Sequence, residues 1–194
     1  IYVNMVGGLD EIVYDGQSFI LDDLGNLIFL LDGFKEQNEY FNLSINSSKS
    51  NKALSYNRDW RENVLNALTL NLYDYYNKSG IFDGIVLGLS GGIDSAFTAY
   101  ISAKAVGSEK VTAIMMPTRF TSEKSLTLAK DLCDKLSIDY KIHPIGGLFD
   151  SYEQDIEQNI GKMPFDVADE NLQARIRATI LMYYSNKFNW LLVS

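Results

Sequence analysis

A chain of 194 residues, 46% apolar and 22% charged, is long enough to bury a globular core as one domain or as two small ones. Its formal net charge of -8 argues against a general nucleic-acid surface, while a local basic pocket for a phosphorylated small molecule stays open. Because no apolar run approaches the roughly 18 residues of a membrane span, and one cysteine gives no disulfide framework, we expect a cytoplasmic protein without a nucleic-acid or membrane partner.

The first part of the chain predicts short antiparallel strands. Strand-like segments occur at 1–6 (IYVNMV) and 11–16 (EIVYDG), and two further apolar runs flank Asp22–Asn26. The residues between those runs, Asp-Asp-Leu-Gly-Asn, include the types that favour a tight turn, so we expect a hairpin there.

The pattern changes between residues 35 and 57. This stretch becomes polar and then rich in Ser, Asn and Lys, and it lacks periodicity, as expected of a linker or a long surface loop. We therefore assign residues 1–45 to the end of one domain, 46–57 to a linker and 58–194 to a second domain.

The second domain predicts strands and helices in alternation. Four apolar segments are typical of strands, at 84–89, 111–116, 138–143 and 190–193. Helices are predicted over about 60–80, 93–106, from the cap Ser122 onward, and over about 167–186. This order is typical of a doubly wound parallel α/β sheet covered on both faces. Ligands of such sheets bind beyond the carboxyl ends of the strands, where the loops after Leu89, Met116 and His143 lie.

Apolar spacing also predicts which faces of two segments are buried. In the first helix an amphipathic pattern is formed by Trp60, Val64, Ala67, Leu68, Leu72 and Tyr75. The run SYEQDIEQ at 151–158 is typical of a charged helix face. Gly146 and Gly147 precede it, and we interpret them either as an ordinary turn or as a loop that borders a nucleotide.

A short motif, Ser90-Gly91-Gly92-Ile93-Asp94-Ser95, lies between a buried strand and a helix start. Unpaired N–H groups and the positive dipole end favour an anion there, and two glycines allow a phosphate to approach closely. No lysine follows the glycines, so the motif is not a Walker A loop. Asp94 would repel a bare phosphate but could bind magnesium that accompanies one. The alternative is a plain strand-to-helix turn, in which Asp near a helix start is favourable anyway.

Four stretches resemble known families. SGGIDS resembles the pyrophosphate-binding loop of the N-type ATP pyrophosphatases, which include NAD, GMP, argininosuccinate and asparagine synthetases. MMPTRFTSEKS at 115–125 is similar to the Met-Pro-x-x-Tyr-Ser-Ser segment of glutamine-dependent NAD synthetases, with Phe120 and Thr121 replacing Tyr and Ser. ENLQARIRATILMYY at 170–184 matches the Glu-Asn-x-Gln-Ala-Arg-x-Arg run of that family. Residues 3–28 resemble the end of the nitrilase-like glutaminase domain that precedes the synthetase domain in that family.

The 170–184 run also has suitable residue types for anion binding. On a helix, Asn171 and Arg175 flank one side of an apolar stripe and Gln173 and Arg177 flank the other, the stripe being Leu172, Ile176, Ile180 and Tyr183. An arginine there can bind a carboxylate or phosphate through two hydrogen bonds. The resemblance associates this segment with the nicotinate dinucleotide, so we predict Asn171 and Arg175, before Arg177, as substrate ligands. Solvated arginines or arginines paired with neighbouring acids are the alternative.

The resemblance implies a Rossmann-like fold of the adenine nucleotide alpha hydrolase type, preceded by an antiparallel piece of a nitrilase-like domain. It implies amidation of deamido-NAD to NAD, with ATP split to AMP and pyrophosphate and with ammonia from glutamine in the intact protein. It assigns ATP contacts to Ser90–Ser95, catalytic roles to Ser90 and Asp94, and magnesium to Asp94. Met115 and Met116 would lie near the adenine by position, although methionine is also common in buried strands.

Further expectations concern partners and missing parts. The resemblance implies a homo-oligomer, a nitrilase cysteine before Ile1 and a second metal ligand after Ser194, so we expect a fragment without glutaminase activity of its own. Another synthetase with the same loop, such as GMP synthetase, and a non-catalytic nucleotide-binding module both stay open as alternatives.

Overall fold

The computed structural model describes residues 1–41 and 59–194, in two compact units, Ile1–Lys78 and Ser79–Ser194. The linker predicted at 46–57 lies outside the described residues, so the domain boundary stays a prediction. Among the described residues no helix is both long enough and apolar enough to cross a membrane.

The first unit contains two antiparallel hairpins and a helix. The first hairpin pairs β1 (Val6–Leu9) with β2 (Ile12–Asp15), and the second pairs β3 (Phe19–Leu21) with β4 (Leu27–Leu30). Helix α1 then spans Trp60–Ser79. The antiparallel prediction is therefore confirmed for the described residues.

The first strand lies later in the chain than predicted. Residues 1–5 are not a strand, and Tyr2 makes only an isolated antiparallel bridge to Phe19. The turn at Asp10, whose φ is 51°, sets the register, so that the strand preceding it is Val6–Leu9. The predicted strand at 1–6 is thus wrong except at its last residue.

The predicted turn at Asp22–Asn26 is confirmed, and its sequence explains its geometry. The Asp22 carboxylate accepts hydrogen bonds from the backbone N–H groups of Leu24 (2.9 Å) and Asn26 (2.7 Å). The side chain of Asn26 donates a further bond of 2.9 Å. These bonds, above all the one from the Asn26 side chain, lower the pKa of Asp22.

Helix α1 begins and ends where the sequence predicts, but a different face is buried. Trp60 and Tyr75 of the predicted apolar face are 66% and 59% exposed, whereas Asp74 and Tyr76 are buried. The Asp74 carboxylate accepts hydrogen bonds from Gly8 N (2.6 Å) and from Lys78 Nζ (2.7 Å). A polar contact with the first hairpin, rather than apolar spacing, therefore selects this face of α1.

The second unit contains one four-stranded parallel sheet in the order β7-β6-β5-β8. Its strands are β5 (Gly84–Gly88), β6 (Val111–Met115), β7 (Asp139–Ile142) and β8 (Trp190–Leu192). Its helices are α2 (Ile93–Val106), α3 (Glu123–Leu136), α4 (Gly146–Ile160) and α5 (Val167–Phe188). A short 3-10 turn spans Ser108–Lys110.

Helices cover both faces of this sheet, which confirms the predicted doubly wound α/β class. Val86 and Ile114 pack against Phe149 of α4 and Ile176 of α5. The residues that alternate with them along the strands, such as Ile85, are also fully buried. Because successive side chains of a strand point to opposite faces, these residues face the layer of α2 and α3.

The structure also tests two predictions for the region after β7, one for a charged helix face and one for a pair of glycines. The predicted charged helix face at 151–158 is confirmed as part of α4. Gly146 and Gly147 form the first turn of that helix, so the predicted turn or loop conformation is wrong, and their position beside a nucleotide stays a prediction. The buried Ile145 immediately before them directs the chain into the helix instead.

Candidate active site

A cavity of about 200 Å³ lies at the carboxyl ends of β5 and β6. The doubly wound fold predicts a ligand at this edge of the sheet. Four of the predicted site residues line the cavity: Ser90, Met115, Met116 and Arg177. Apolar side chains such as Leu126 and Leu181 form much of the remaining wall. The structure thus brings residues from three predicted segments into one pocket.

The loop that starts at Ser90 is closed by its own hydroxyl groups. The Oγ atoms of Ser90 and Ser95 lie 3.1 Å apart, and Gly92 N donates a bond of 3.2 Å to Ser90 Oγ. Ser95 Oγ in turn donates to the Gly92 carbonyl oxygen at 3.0 Å. These bonds hold the loop in one conformation, so little ordering is left for a ligand to impose.

Gly91 is required by the backbone and by a close neighbour. Its φ of +84° is in the left-handed region that favours glycine. A Cβ atom there would lie only 2.4 Å from the carbonyl oxygen of Ser125, the α3 residue that also lines the cavity. Gly91 therefore lets the loop touch α3.

Gly92 has a different explanation. Its φ is -83°, which any residue can adopt, and the nearest atom to an added Cβ is Ser90 Oγ at 3.3 Å. The surrounding protein accordingly gives only a weak reason for glycine at this position. Two physical reasons remain: Gly92 is the N-cap of α2, where glycine is favoured, and a small residue there allows close approach by a ligand atom.

Helix α2 begins without a side-chain cap from the described residues. Its first intrahelical hydrogen bond runs from Ala96 N to the Gly92 carbonyl oxygen at 3.1 Å, so the N–H groups of Ile93, Asp94 and Ser95 precede the helix ladder. By contrast, Ser122 caps α3, and Asp166 caps α5. The start of α2 is thus suited to an anion.

Asp94 is exposed in the first turn of α2. The described residues contain no group of three or more His, Cys, Asp and Glu side chains that could hold a metal ion. Magnesium is usually bound by only one or two carboxylates together with water and phosphate oxygens. Asp94 therefore fits a magnesium ion carried by a polyphosphate better than a site built from protein ligands alone.

Arg177 brings a positive charge into the cavity. Its Nε donates a hydrogen bond of 3.2 Å to the carbonyl oxygen of Met116, and the side chain is half-buried. Burial lowers the pKa of Arg177, yet an arginine remains charged at neutral pH. No carboxylate in the described ranges pairs with it, so its charge is available to an anionic ligand.

The other predicted substrate ligands lie on a different side of α5. Asn171 and Arg175 are exposed and do not line the cavity. Gln173 is buried and accepts a bond of 3.2 Å from Thr118 Oγ1, which orients its side of α5 toward β6. Tyr183, expected in the apolar stripe, is 66% exposed. The rotation of α5 thus brings Arg177, and not Arg175, to the cavity.

Two cavity residues lie in the 115–125 segment that resembles NAD synthetases, but spacing alone does not single them out as ligands. Ser125 lines the cavity and touches Gly91, but in the sequence it is simply the third residue of a helix that Ser122 caps. Pro117 lines the wall where β6 ends. Ser125 enters the site because the first turn of α3 packs against Gly91 in the loop after β5, a tertiary contact that periodicity does not encode.

Comparison with known proteins agrees with this geometry. The sequence model of NAD synthase matches residues 64–194. A glutamine-dependent NAD(+) synthetase of Aquifex aeolicus is 38% identical over 225 residues, covering 100% of this chain and 40% of that protein. This chain therefore spans well under two thirds of that relative's length.

Two solved structures have similar folds. A glutamine-dependent NAD+ synthetase of Acinetobacter baumannii, in complex with adenosine diphosphate, has a TM-score of 0.88 and 36% identity, over 99% of this chain and 36% of its own. The NMN synthetase of Francisella tularensis has a TM-score of 0.60 and 26% identity, over 68% of this chain and 52% of its own.

Proposed function

We propose that this chain, which belongs to the NAD synthase family, supplies the ATP-binding portion of a ligase that converts deamido-NAD to NAD. In that reaction the nicotinate carboxylate attacks the α-phosphate of ATP, and pyrophosphate leaves. Ammonia then attacks the adenylated carboxylate, so that the amide forms and AMP leaves.

The observation that carries this proposal is the uncapped start of α2 beside a mainly apolar cavity. Backbone N–H groups and the Ser90 and Ser95 hydroxyls offer hydrogen bonds to phosphate oxygens. The cavity, at about 200 Å³, is below the range of about 300–1,000 Å³ typical of whole-ligand sites. We therefore assign it to the base and sugar of ATP and place the phosphates along the loop.

Each part of the site then has a role. The loop Ser90–Ser95 holds the leaving pyrophosphate, and Met115 and Met116 contact the adenine. Asp94 would hold magnesium, which when bound offsets negative charge on the phosphates. Arg177, whose charge lies at the wall of the cavity, is assigned to the second substrate and not to the ATP phosphates.

We assign deamido-NAD to α5, with Asn171, Arg175 and Arg177 as its ligands. A dinucleotide is a long ligand with two ends, which is compatible with polar groups on different sides of one helix. We also propose a homo-oligomer in contact through α5. The exposed Met182 and Tyr183 on that helix, 46% and 66% accessible, support this choice.

The remaining parts of the proposal concern the full-length protein. We propose that its ammonia comes from glutamine and that it acts in the cytoplasm. The similarity to the glutamine-dependent NAD(+) synthetase of Aquifex aeolicus supports the first point.

A second candidate substrate is nicotinate mononucleotide. The similarity to the NMN synthetase of Francisella tularensis, with a TM-score of 0.60 and 26% identity, supports it. This substrate is shorter than deamido-NAD and would leave part of the α5 surface uncovered, so the two candidates differ in their need for Arg175.

The test is release of AMP and pyrophosphate by the full-length protein with magnesium ATP and ammonia. The acceptors compared are deamido-NAD, nicotinate mononucleotide, xanthylate and none. We expect release with deamido-NAD, and Asp94→Ala should lower kcat by about 100-fold or more, as loss of an electrostatic contact to a transition state does. Asp131→Ala, an exposed acid on α3, serves as the matched control.

Each other outcome has a separate meaning. Release with nicotinate mononucleotide alone would replace the substrate and keep the reaction. Release with xanthylate alone would contradict the substrate class. ATP binding without AMP formation under any condition would contradict the enzyme proposal and favour a nucleotide-binding module.

A further inference from the structure

The segment Pro117–Thr121, which we name the β6–α3 loop, forms one wall of the cavity. Pro117 and Thr121 both line it. The loop closes on itself, because Thr118 N donates to Thr121 Oγ1 at 2.9 Å and Thr121 N donates to the Thr118 carbonyl oxygen at 3.0 Å. It is therefore a compact unit that moves as a whole if it moves at all.

Arg119 fastens this loop to helix α4. Its Nη1 donates to Asp150 Oδ1 at 2.5 Å, and its Nη2 donates to both carboxylate oxygens of Glu153 at 3.0 and 2.8 Å. The two acids are three residues apart on one face of α4, so a single planar guanidinium reaches both. The hydrogen bond to Glu153, ahead of the other contacts, raises the pKa of Arg119.

Aromatic rings fix the plane of the guanidinium. Arg119 Cζ lies 4.9 Å from the ring centroid of Phe120 and 5.4 Å from that of Phe149. Phe149 is fully buried in α4, so one side of this contact belongs to the rigid core. Cation–π attraction at these distances favours this position of the side chain.

The contact fastens the loop without adding much to global stability. The side chains of Arg119 and Asp150 are 51% and 49% exposed, and Glu153 is 32% exposed. Exposed ion pairs contribute little to the free energy of unfolding. Their directional hydrogen bonds can still select one position for a short loop.

Arg119 does not itself face the ligand. It is absent from the residues that line the cavity, and both of its terminal nitrogens bond to α4. Only its neighbours in the loop reach the wall. Any effect of Arg119 on a nucleotide must therefore pass through the loop.

We propose that Arg119 is a positioning residue that sets the wall of the nucleoside cavity by holding the β6–α3 loop on α4 through Asp150 and Glu153. This inference rests on the proposed function, in which the cavity takes the base and sugar of ATP. It predicts that Arg119 acts on ATP affinity and not on the chemical step.

The test uses the full-length protein with magnesium ATP, measuring Kd by calorimetry without acceptor and then KM and kcat with acceptor and ammonia. Arg119→Ala should raise Kd and KM for ATP about fivefold, with kcat changed less than about twofold, because a network of charged hydrogen bonds is lost. Glu153→Gln should raise both in the same direction. The double variant should weaken ATP binding no more than Arg119→Ala alone.

A matched control and a conservative variant sharpen the result. Arg61 also pairs with an acid, Asp59 at 3.4 Å, and lies over a ring, that of Trp60 at 5.2 Å, but it belongs to the first unit. Arg61→Ala should leave the Kd for ATP unchanged. Arg119→Lys should restore part of the affinity, since lysine keeps the charge and loses the planar fork.

Two outcomes would overturn the inference. Weaker ATP binding in Arg119→Ala but not in Glu153→Gln would mean that Arg119 binds ATP directly. A lower Tm with an unchanged Kd would mean that the contact is only structural. Absence of AMP formation in the parent protein would count against the proposed function instead, and the Kd measurements would still decide the role of Arg119.

Discussion

The two units of this chain bury their residues in different ways. In the second unit β5 lies between two layers of helices, and Ile85 is fully buried. In the first unit the hairpin strands are mostly half-buried, and Ile20 is one of few apolar residues there below a tenth exposed. Where a strand is buried on both faces, its apolar pattern determines which residues are buried. Where only one face is buried, as in the first unit, single polar contacts have more influence on that choice.

The first prediction compares the cost of replacing a buried isoleucine by alanine in each of the two units, and it has the largest magnitude. Ile85→Ala should lower the free energy of local opening of β5 by about 4 kcal/mol, because a fully packed site cannot collapse around the cavity left behind. Ile20→Ala should cost about 2 kcal/mol, because its half-buried neighbours can relax. Hydrogen exchange of peptides from β5 and from β3 reports each value separately.

Leu24→Ala, at a residue 81% exposed, is the control and should change exchange by less than about 0.5 kcal/mol. Equal costs for Ile85 and Ile20 would contradict the claim that the two units are packed differently.

The next prediction separates the cost of a left-handed backbone from the cost of a steric clash with a neighbouring residue. Gly91 and Gly25 have nearly the same φ, +84° and +83°, but nothing lies within 4 Å of a Cβ added at Gly25. Gly25→Ala should therefore cost only the left-handed strain, about 1 kcal/mol. Gly91→Ala adds a clash with Ser125 and should cost about 3 kcal/mol in opening of the loop after β5, together with most of the ATP affinity.

Both variants are measured by hydrogen exchange and by calorimetry with magnesium ATP. Equal costs at the two positions would mean that the loop after β5 can move away from α3.

The smallest of the three effects concerns the polar contact in the first unit. Asp74→Asn should speed exchange of the Gly8 amide by an amount equal to about 2 kcal/mol, because a charged acceptor of two hydrogen bonds is lost. Asp59→Asn, which removes an exposed charged partner of Arg61, should change the exchange of the Gly8 amide by less than about 0.5 kcal/mol. A wild-type rate at Gly8 in Asp74→Asn would show that the first hairpin does not depend on this carboxylate.

These differences explain how far the sequence could be used to predict the fold. Helix α2 begins and ends where predicted, at Ile93 and Val106, because a glycine follows it at 107 and a buried strand precedes its loop. In α1 four of the six residues of the predicted apolar face are exposed, since Asp74 binds the first hairpin. A carboxylate that accepts a distant backbone N–H leaves no periodic signal.

The candidate site was predictable only in part for a similar reason. The loop Ser90–Ser95 is recognisable because its residue types are unusual for a plain turn. Arg175 and Arg177 cannot be distinguished from spacing, because the two polar flanks of an amphipathic helix are equivalent until its rotation is known. The bond from Thr118 to Gln173 helps to set that rotation, and it joins residues 55 positions apart.

The bond between Arg177 and residue 116 has a consequence for how such a site can evolve. Arg177 Nε binds the carbonyl oxygen of Met116, an atom that every amino acid at that position would provide. The side chain at 116 lines the cavity and packs in the core, so packing limits its size while the backbone anchor does not depend on its identity. The position of the arginine would thus persist through any substitution at 116 that the core can accommodate.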